Sequence, residues 1–218
     1  MTAPAKHSIV PVTSDDLATL AEYLHASKLA LTVNRLLFLD WPNDAVQKPA
    51  YRNAIDMGFK DPAVENLKVI DAASGEILAF LGLSRKPALK EGEKEVGIPD
   101  DDADTPEGFN PIVLKAVWKA VVEIRSEWNG FEHFEITYVY VRPSSRRLGI
   151  GSELVKLCFE RAKAEGLPLI LSSEPAAYDF FASLGFKDTR HVDWDLSKWA
   201  PPHTGFGSFR MAGMRWDN

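Results

Sequence analysis

A mixed α/β fold with helices on both faces of one central sheet follows from three observations. The last third of the chain alternates strand and helix patterns. The middle holds two β-rich runs joined by a short Gly-containing turn. The N-terminal quarter reads mainly as helix. Ser8–Val12 is a short apolar stretch that Pro11, which has no N–H to donate, confines to a sheet edge. Thr13, Ser14, Asp15 and Asp16 form a helix start with acidic first-turn residues, and Leu17, Leu20, Ala21 and Leu24 follow at helical spacing. Leu29–Trp41 predicts a second helix, broken by Pro42, Asn43 and Asp44, and Ala50–Gly58 predicts a third.

The period then changes. Leu67–Ala72 and Glu76–Leu83 read as a hairpin closed by Ala73, Ser74 and Gly75. Lys86–Phe109 is polar and acidic and reads as a long loop, followed by a helix over Pro111–Trp128 with proline in its first turn. Phe134–Val141 alternates aromatic and β-branched residues as a strand does. Gly149–Glu165 has helical spacing and ends at Gly166; Leu167–Leu171 is a short apolar strand; Pro175–Leu184 is a helix stopped by Gly185. Two strands, Phe186–Leu196 and Gly207–Trp216, close the chain.

Composition narrows the class. The chain has 218 residues, 45% of them hydrophobic and 26% charged, which fits one large domain with its own core. The expectation is a single domain over residues 1–218, enlarged by loop and helix at about residues 86–130. Cys158 is the sole cysteine, so no internal disulfide forms and no Cys-rich metal site exists. His133, His191 and His203 are isolated in sequence and show no metal-ligand spacing, so no metal is expected. A net charge of −6 disfavours nonspecific nucleic-acid binding. The apolar runs are too short for a membrane span, and Met1–His7 lacks a leader pattern, so a cytoplasmic protein is expected.

The most specific segment is Arg146-Arg147-Leu148-Gly149-Ile150-Gly151, between a strand and a helix. The first turn of a helix presents N–H groups without internal partners, and its dipole adds positive potential, so an anion such as pyrophosphate binds there. Glycines allow close backbone approach, and the arginines add cationic donors. A Walker-type loop is excluded because no Gly-Lys-Ser/Thr follows, and a dinucleotide turn would need glycine where Leu154 stands.

The hexapeptide resembles the Arg/Gln-x-x-Gly-x-Gly/Ala pattern of the GNAT superfamily of acyl-CoA N-acyltransferases. The resemblance also takes in the strand ending Val139-Tyr140-Val141-Arg142-Pro143, the helix Ser152–Glu165 and Leu184-Gly185-Phe186. It implies acetyl-CoA in a gap between two splayed parallel strands, here Phe134–Val141 and Leu167–Leu171. Pantetheine would pair with Val139, Tyr140 and Val141. Arg146 would stand at the rim, and the N–H groups of Arg147, Gly149, Ile150, Gly151 and Ser152 would hold the pyrophosphate. A strand bulge commonly opens that gap, but none is visible in the sequence.

The implied reaction is attack of an amine on the thioester. An alkylamine has a pKa around 10.4, so a base is needed. Glu135, eleven residues before Arg146, resembles the catalytic glutamate of the histone-acetylating branch. Its other reading is a solvated strand-end carboxylate like Glu132. The family's usual acid is a tyrosine at the position of Phe181, which has no proton to give. Tyr178, one turn earlier, either protonates the sulfur, contacts pantetheine or packs. Glu174 stands where many members have asparagine. Trp194 and Trp199 flank a segment that borders the acceptor in such enzymes, and an aromatic wall suits a hydrophobic amine. The acidic residues Asp100–Glu107 read as a solvated loop or as a lid attracting a cationic acceptor.

The expected activity is therefore acetyl transfer to a primary amine, with a small molecule as acceptor or, alternatively, a protein lysine. A homodimer is an option that the family leaves open. The rival readings are a non-catalytic CoA-binding regulator, and an acyltransferase with another acyl donor or a hydroxyl acceptor.

Overall fold

The computed structural model describes residues 6–90 and 105–217. One seven-stranded sheet runs through them in the order β1-β2-β3-β4-β5-β7-β6. The strands are β1 (His7–Pro11), β2 (Val64–Asp71), β3 (Ile77–Lys86), β4 (His133–Val141), β5 (Leu169–Ser173), β6 (Lys187–Asp195) and β7 (Ser208–Trp216). The helices are α1 (Leu17–Leu29), α2 (Asn34–Leu37), α3 (Asp44–Lys60), α4 (Pro111–Arg125), α5 (Ile150–Glu165) and α6 (Pro175–Ser183). Neighbouring strands are antiparallel except β4 and β5, which are parallel.

The two faces of the sheet are covered differently. On one face, α5 and α6 bury Leu154, Val155, Cys158, Ala162 and Phe181 against Leu81, Phe134, Ile136, Leu171 and Met214. On the other, α1 and α3 cover β2–β4 through Leu17, Leu20, Leu24, Ile55 and Phe80. The helix α4 covers the opposite half of that face, where Ile124 and Trp128 pack on Ile170. The short α2 joins the two halves, as Leu31, Val33 and Leu36 share a cluster with Val113, Ala120, Trp194 and Phe209. The line between the α1–α3 group and α4 lies over the β4–β5 junction.

Several boundaries depart from expectation, each for a local reason. The helix expected over Leu29–Trp41 is a single turn. The Asn34 side chain donates to the Lys28 carbonyl at 3.0 Å, and Phe38 leaves the helix to bridge Phe109. The third helix starts at Asp44 rather than Ala50, because Asn43 caps it by accepting from the Val46 N–H; Pro49 is tolerated inside it. The helix α4 ends at Arg125, not Trp128. The strand β5 lies two residues later than expected, at Leu169–Ser173. The Leu167 N–H is spent on the Ala162 carbonyl at the end of α5, and the Pro168 carbonyl accepts from Phe134. β1 is an edge strand as Pro11 requires, and the β2–β3 hairpin turns at Ala72–Glu76. The expected acidic loop lies mostly outside the described residues. Among the described residues no helix is long and apolar enough to cross a membrane, and no group of metal-ligating side chains gathers.

Candidate functional site

The parallel junction of β4 and β5 pairs only Phe134 with Leu169 and Glu135 with Ile170. Beyond those pairs both strands continue, β4 to Val141 and β5 to Ser173, without pairing to each other. A bulge in β4 coincides with this parting. The register with β3 runs Gly82 to Tyr138 and then Leu83 to Ile136, so Thr137 is skipped. The extra residue bends β4 and increases its local twist, which turns it away from β5. Thr137 is exposed in mid-strand, where a central strand is normally covered, and its hydroxyl is hydrogen-bonded to that of Ser84 at 2.8 Å. The unpaired backbone edge along Tyr138–Val141 is thus open to an extended ligand arm.

The strand then feeds the turn. The Arg142 N–H donates to the Leu78 carbonyl at 2.8 Å and pins the strand end. Arg147 has φ +65° and Gly149 has φ +85°, so the chain curls left-handed twice before α5 begins. The Glu153 N–H makes the first helical bond, to the Gly149 carbonyl at 3.0 Å. The N–H groups of Gly149, Ile150, Gly151 and Ser152 therefore have no acceptor within the helix. A Cβ on Gly151 would meet Phe180 Cζ at 3.4 Å and Val141 Cγ2 at 3.6 Å, so glycine keeps this helix start close to the strand end. Arg147, Leu148 and Gly149 are exposed. Arg146 folds back, its Nε donating to the Val141 carbonyl at 3.1 Å. These features fit a bound pyrophosphate followed by an extended arm: exposed donors at a helix start, then an open strand edge.

Glu135 lies at the closed end of the gap, on the α4 face. It is 4% exposed, and its Oε1 accepts from Arg125 Nη2 at 3.0 Å. Its neighbour Tyr138 has its pKa raised by burial, lowered by Arg125 and raised again by Glu135, so the three form one electrostatic group. Tyr178 is placed elsewhere. Burial first, then the Asp188 carboxylate, raises its pKa. Asp188 belongs to β6, beyond β7 from β5. Phe181 is buried against Phe180 and Phe186. Cys158 is fully buried, and burial pushes its thiol up to about 12. A thiol held protonated there is no nucleophile. Trp194 and Trp199 have ring centroids 6.4 Å apart and pack in the α2–α4 cluster.

The open end of the gap holds Glu174, which the sequence marked only as a departure from the family pattern, together with residues it did not mark. Glu174 ion-pairs with Lys28 in the last turn of α1. Asn34 is buried and donates to the Tyr51 hydroxyl at 3.3 Å. Burial, then charge on Glu174 and on Tyr138, raises the Tyr51 pKa well above the usual tyrosine range. Arg125 carries no sequence signal beyond being a basic residue near a helix end. Lys28 reads the same way.

A sequence model of the acetyltransferase (GNAT) family matches residues 33–186. Comparison with curated proteins found no match. Among solved structures, the chain is similar to a mosquito arylalkylamine N-acetyltransferase-like 5b, with 11% identity and a TM-score of 0.64 over 97% of this chain and 100% of that one. It is similar to a Corynebacterium glutamicum protein described as histone acetyltransferase HPA2 and related acetyltransferase, with 16% identity and a TM-score of 0.58 over 98% of each chain. It also resembles Arabidopsis thaliana NAA60, solved with a bisubstrate analogue, at 11% identity and a TM-score of 0.53 over 97% of each chain. At these identities the likeness is one of fold.

Proposed function

The chain belongs to the GNAT acetyltransferase family, and from that premise we propose that it moves an acetyl group from acetyl-CoA to a primary amine by direct attack. The observation that carries this reading is the β4–β5 junction, paired at two positions and then open, leading straight into the N-terminus of α5. When bound, acetyl-CoA supplies a thioester carbonyl as electrophile. The N–H groups of Arg147, Gly149, Ile150, Gly151 and Ser152 hold the pyrophosphate, with Arg146 at the rim. The backbone of Val139, Tyr140 and Val141 that points away from β3 binds pantetheine and offers a donor to the developing oxyanion.

We assign Glu135 the proton of the amine, taken through a water, with Arg125 orienting its carboxylate. The amine nitrogen bonds to the acyl carbon, the carbon–sulfur bond breaks, and the proton lost by the amine ends on the departing thiolate. A thiol pKa of about 8.5 lets that thiolate leave without a dedicated acid. Tyr178, beside Asp188, is assigned no proton transfer. Direct attack is supported by the inert setting of Cys158. The mosquito neighbour is named for its likeness to arylalkylamine N-acetyltransferases, and a small amine is the acceptor class proposed for this chain.

The test is calorimetry with acetyl-CoA, followed by thiol release against a panel of amines, amino acids and lysine peptides. Binding together with release is the expected result. Lack of binding at millimolar acetyl-CoA contradicts the proposal, and binding without release from any acceptor leaves a CoA-binding regulator in its place.

A further inference from the structure

Lys28 and Glu174 meet across the mouth of the gap. Lys28 closes α1, and Glu174 caps α6 directly after β5. Their side chains are 27% and 34% exposed, so the pair is partly withdrawn from water yet reachable. Its surroundings are fixed. The Asn34 side chain, itself buried, donates both to the Lys28 carbonyl at 3.0 Å and to the Tyr51 hydroxyl at 3.3 Å. Tyr51 stands near enough to Glu174 on one bank and Tyr138 on the other to respond to both charges. A polar bracket thus spans from α1 to α6 above the place where β4 and β5 part.

We propose that this pair recognises an acceptor that carries both charges on neighbouring atoms, an α-amino acid, with Glu174 taking the ammonium and Lys28 the carboxylate. The proposal rests on acetyl transfer to an amine and names the acceptor class. A purely cationic amine that takes Glu174 strands the Lys28 ammonium in a partly buried position without its counter-charge. A purely anionic ligand strands Glu174 in the same way. An α-amino acid bears its ammonium and carboxylate on a single carbon, so it exchanges the one internal pair for two and leaves no charge alone. Selection thus comes from what the wrong acceptor leaves unpaired as much as from what the right one gains. The bonds made and broken are those of the proposed reaction. Held as an ammonium, the acceptor gives one proton to solvent before attack, and the second, released as its nitrogen bonds to the acyl carbon, is the one that ends on the thiolate.

The experiment compares matched acceptors that differ only in the carboxylate: phenylalanine with phenethylamine, tryptophan with tryptamine, leucine with isoamylamine. Thiol release from acetyl-CoA gives kcat/KM for each. In the wild type each amino acid is expected to exceed its amine about tenfold or more, by the size of a desolvated charge contact. Lys28→Met should lower that ratio about 30-fold, as expected for removing one partner of a partly buried charge pair. Lys28→Arg, which keeps the charge, should restore most of it. Amines that equal or exceed their amino acids in the wild type overturn the proposal. So does a ratio unchanged by Lys28→Met, or silence from every amino acid while acetyl-CoA binds. A circular-dichroism melt checks that each variant is folded. Failure of acetyl-CoA to bind at all instead sinks the transfer reaction itself.

Discussion

Glu135→Gln keeps the shape of the side chain and a hydrogen-bond acceptor for Arg125, but removes the basic oxygen. Thiol release at neutral pH should fall about 100-fold. It should recover as pH rises toward the amine pKa of about 10.4, where free amine no longer needs a base. Acetyl-CoA affinity by calorimetry should be unchanged. A flat loss at all pH values assigns Glu135 to positioning instead. His133 makes a second prediction. It is buried, its Nδ1 lies 2.8 Å from the Phe131 carbonyl, and burial lowers its pKa below the usual 6.5. The unfolded chain therefore binds a proton that the folded chain refuses. The resulting stability is full above about pH 6.5 and is lost as pH falls toward the folded pKa. Thermal melts should show Tm falling from about pH 7 to about pH 5, and His133→Gln should flatten that slope. Glu135 stood out in the sequence as a candidate because it lies on the strand before the glycine turn of α5. Its partner Arg125 was not, because a strand and a helix end disclose no contact to local patterning. Lys28 and Glu174 are 146 residues apart, and only the folded chain brings them together.

At the level of elements, the glycines of the site and the core do different work. Gly149→Ala places a Cβ in a left-handed turn at φ +85°. The strain is about 1 kcal/mol, and because the turn shapes the anion cradle, acetyl-CoA affinity should fall about tenfold. Gly213 on β7 lies beneath α4. A Cβ there would stand 2.7 Å from Ile124 Cγ2 and from two ring carbons of Trp128. Gly213→Ala should therefore cost about 1–3 kcal/mol in denaturant melts, whereas Gly130→Ala, with open space at its Cβ, should cost less. The strands, α5 and α6 were readable from period and from glycine punctuation. The bulge at Thr137 was not: it shifts the alternation by one, so that Phe134 and Ile136 share a face with Val139 and Val141 while Tyr138 and Tyr140 take the other, and because both faces beyond Thr137 are apolar or aromatic the shift leaves no polar mark in the sequence. The single-turn α2 was misread as a longer helix because the pairing of Phe38 with Phe109 is tertiary and overrides local propensity.

For the molecule as a whole, one sheet carries two differently covered faces, and the candidate site lies where β4 and β5, the only parallel neighbours among the described residues, part. On the proposed reading, α5 and α6 set the cofactor side. The α1–α3 group and α4 set the other, so the two substrates would approach the gap from opposite faces. Fold class and the glycine turn before α5 were both visible in the sequence, since each rests on short-range signals. The proposed acceptor side was not, since it is assembled from α1, α2, α3, α4 and the β5–α6 junction at once. Trp128, 1% exposed, anchors α4 to the sheet. Amide hydrogen exchange with and without acetyl-CoA tests the parting of β4 and β5 and the start of α5 as the place where the cofactor binds. Slowed exchange concentrated on Tyr138–Val141 and Arg147–Ser152 is the predicted result. Binding that leaves those amides unprotected while slowing exchange elsewhere would contradict it.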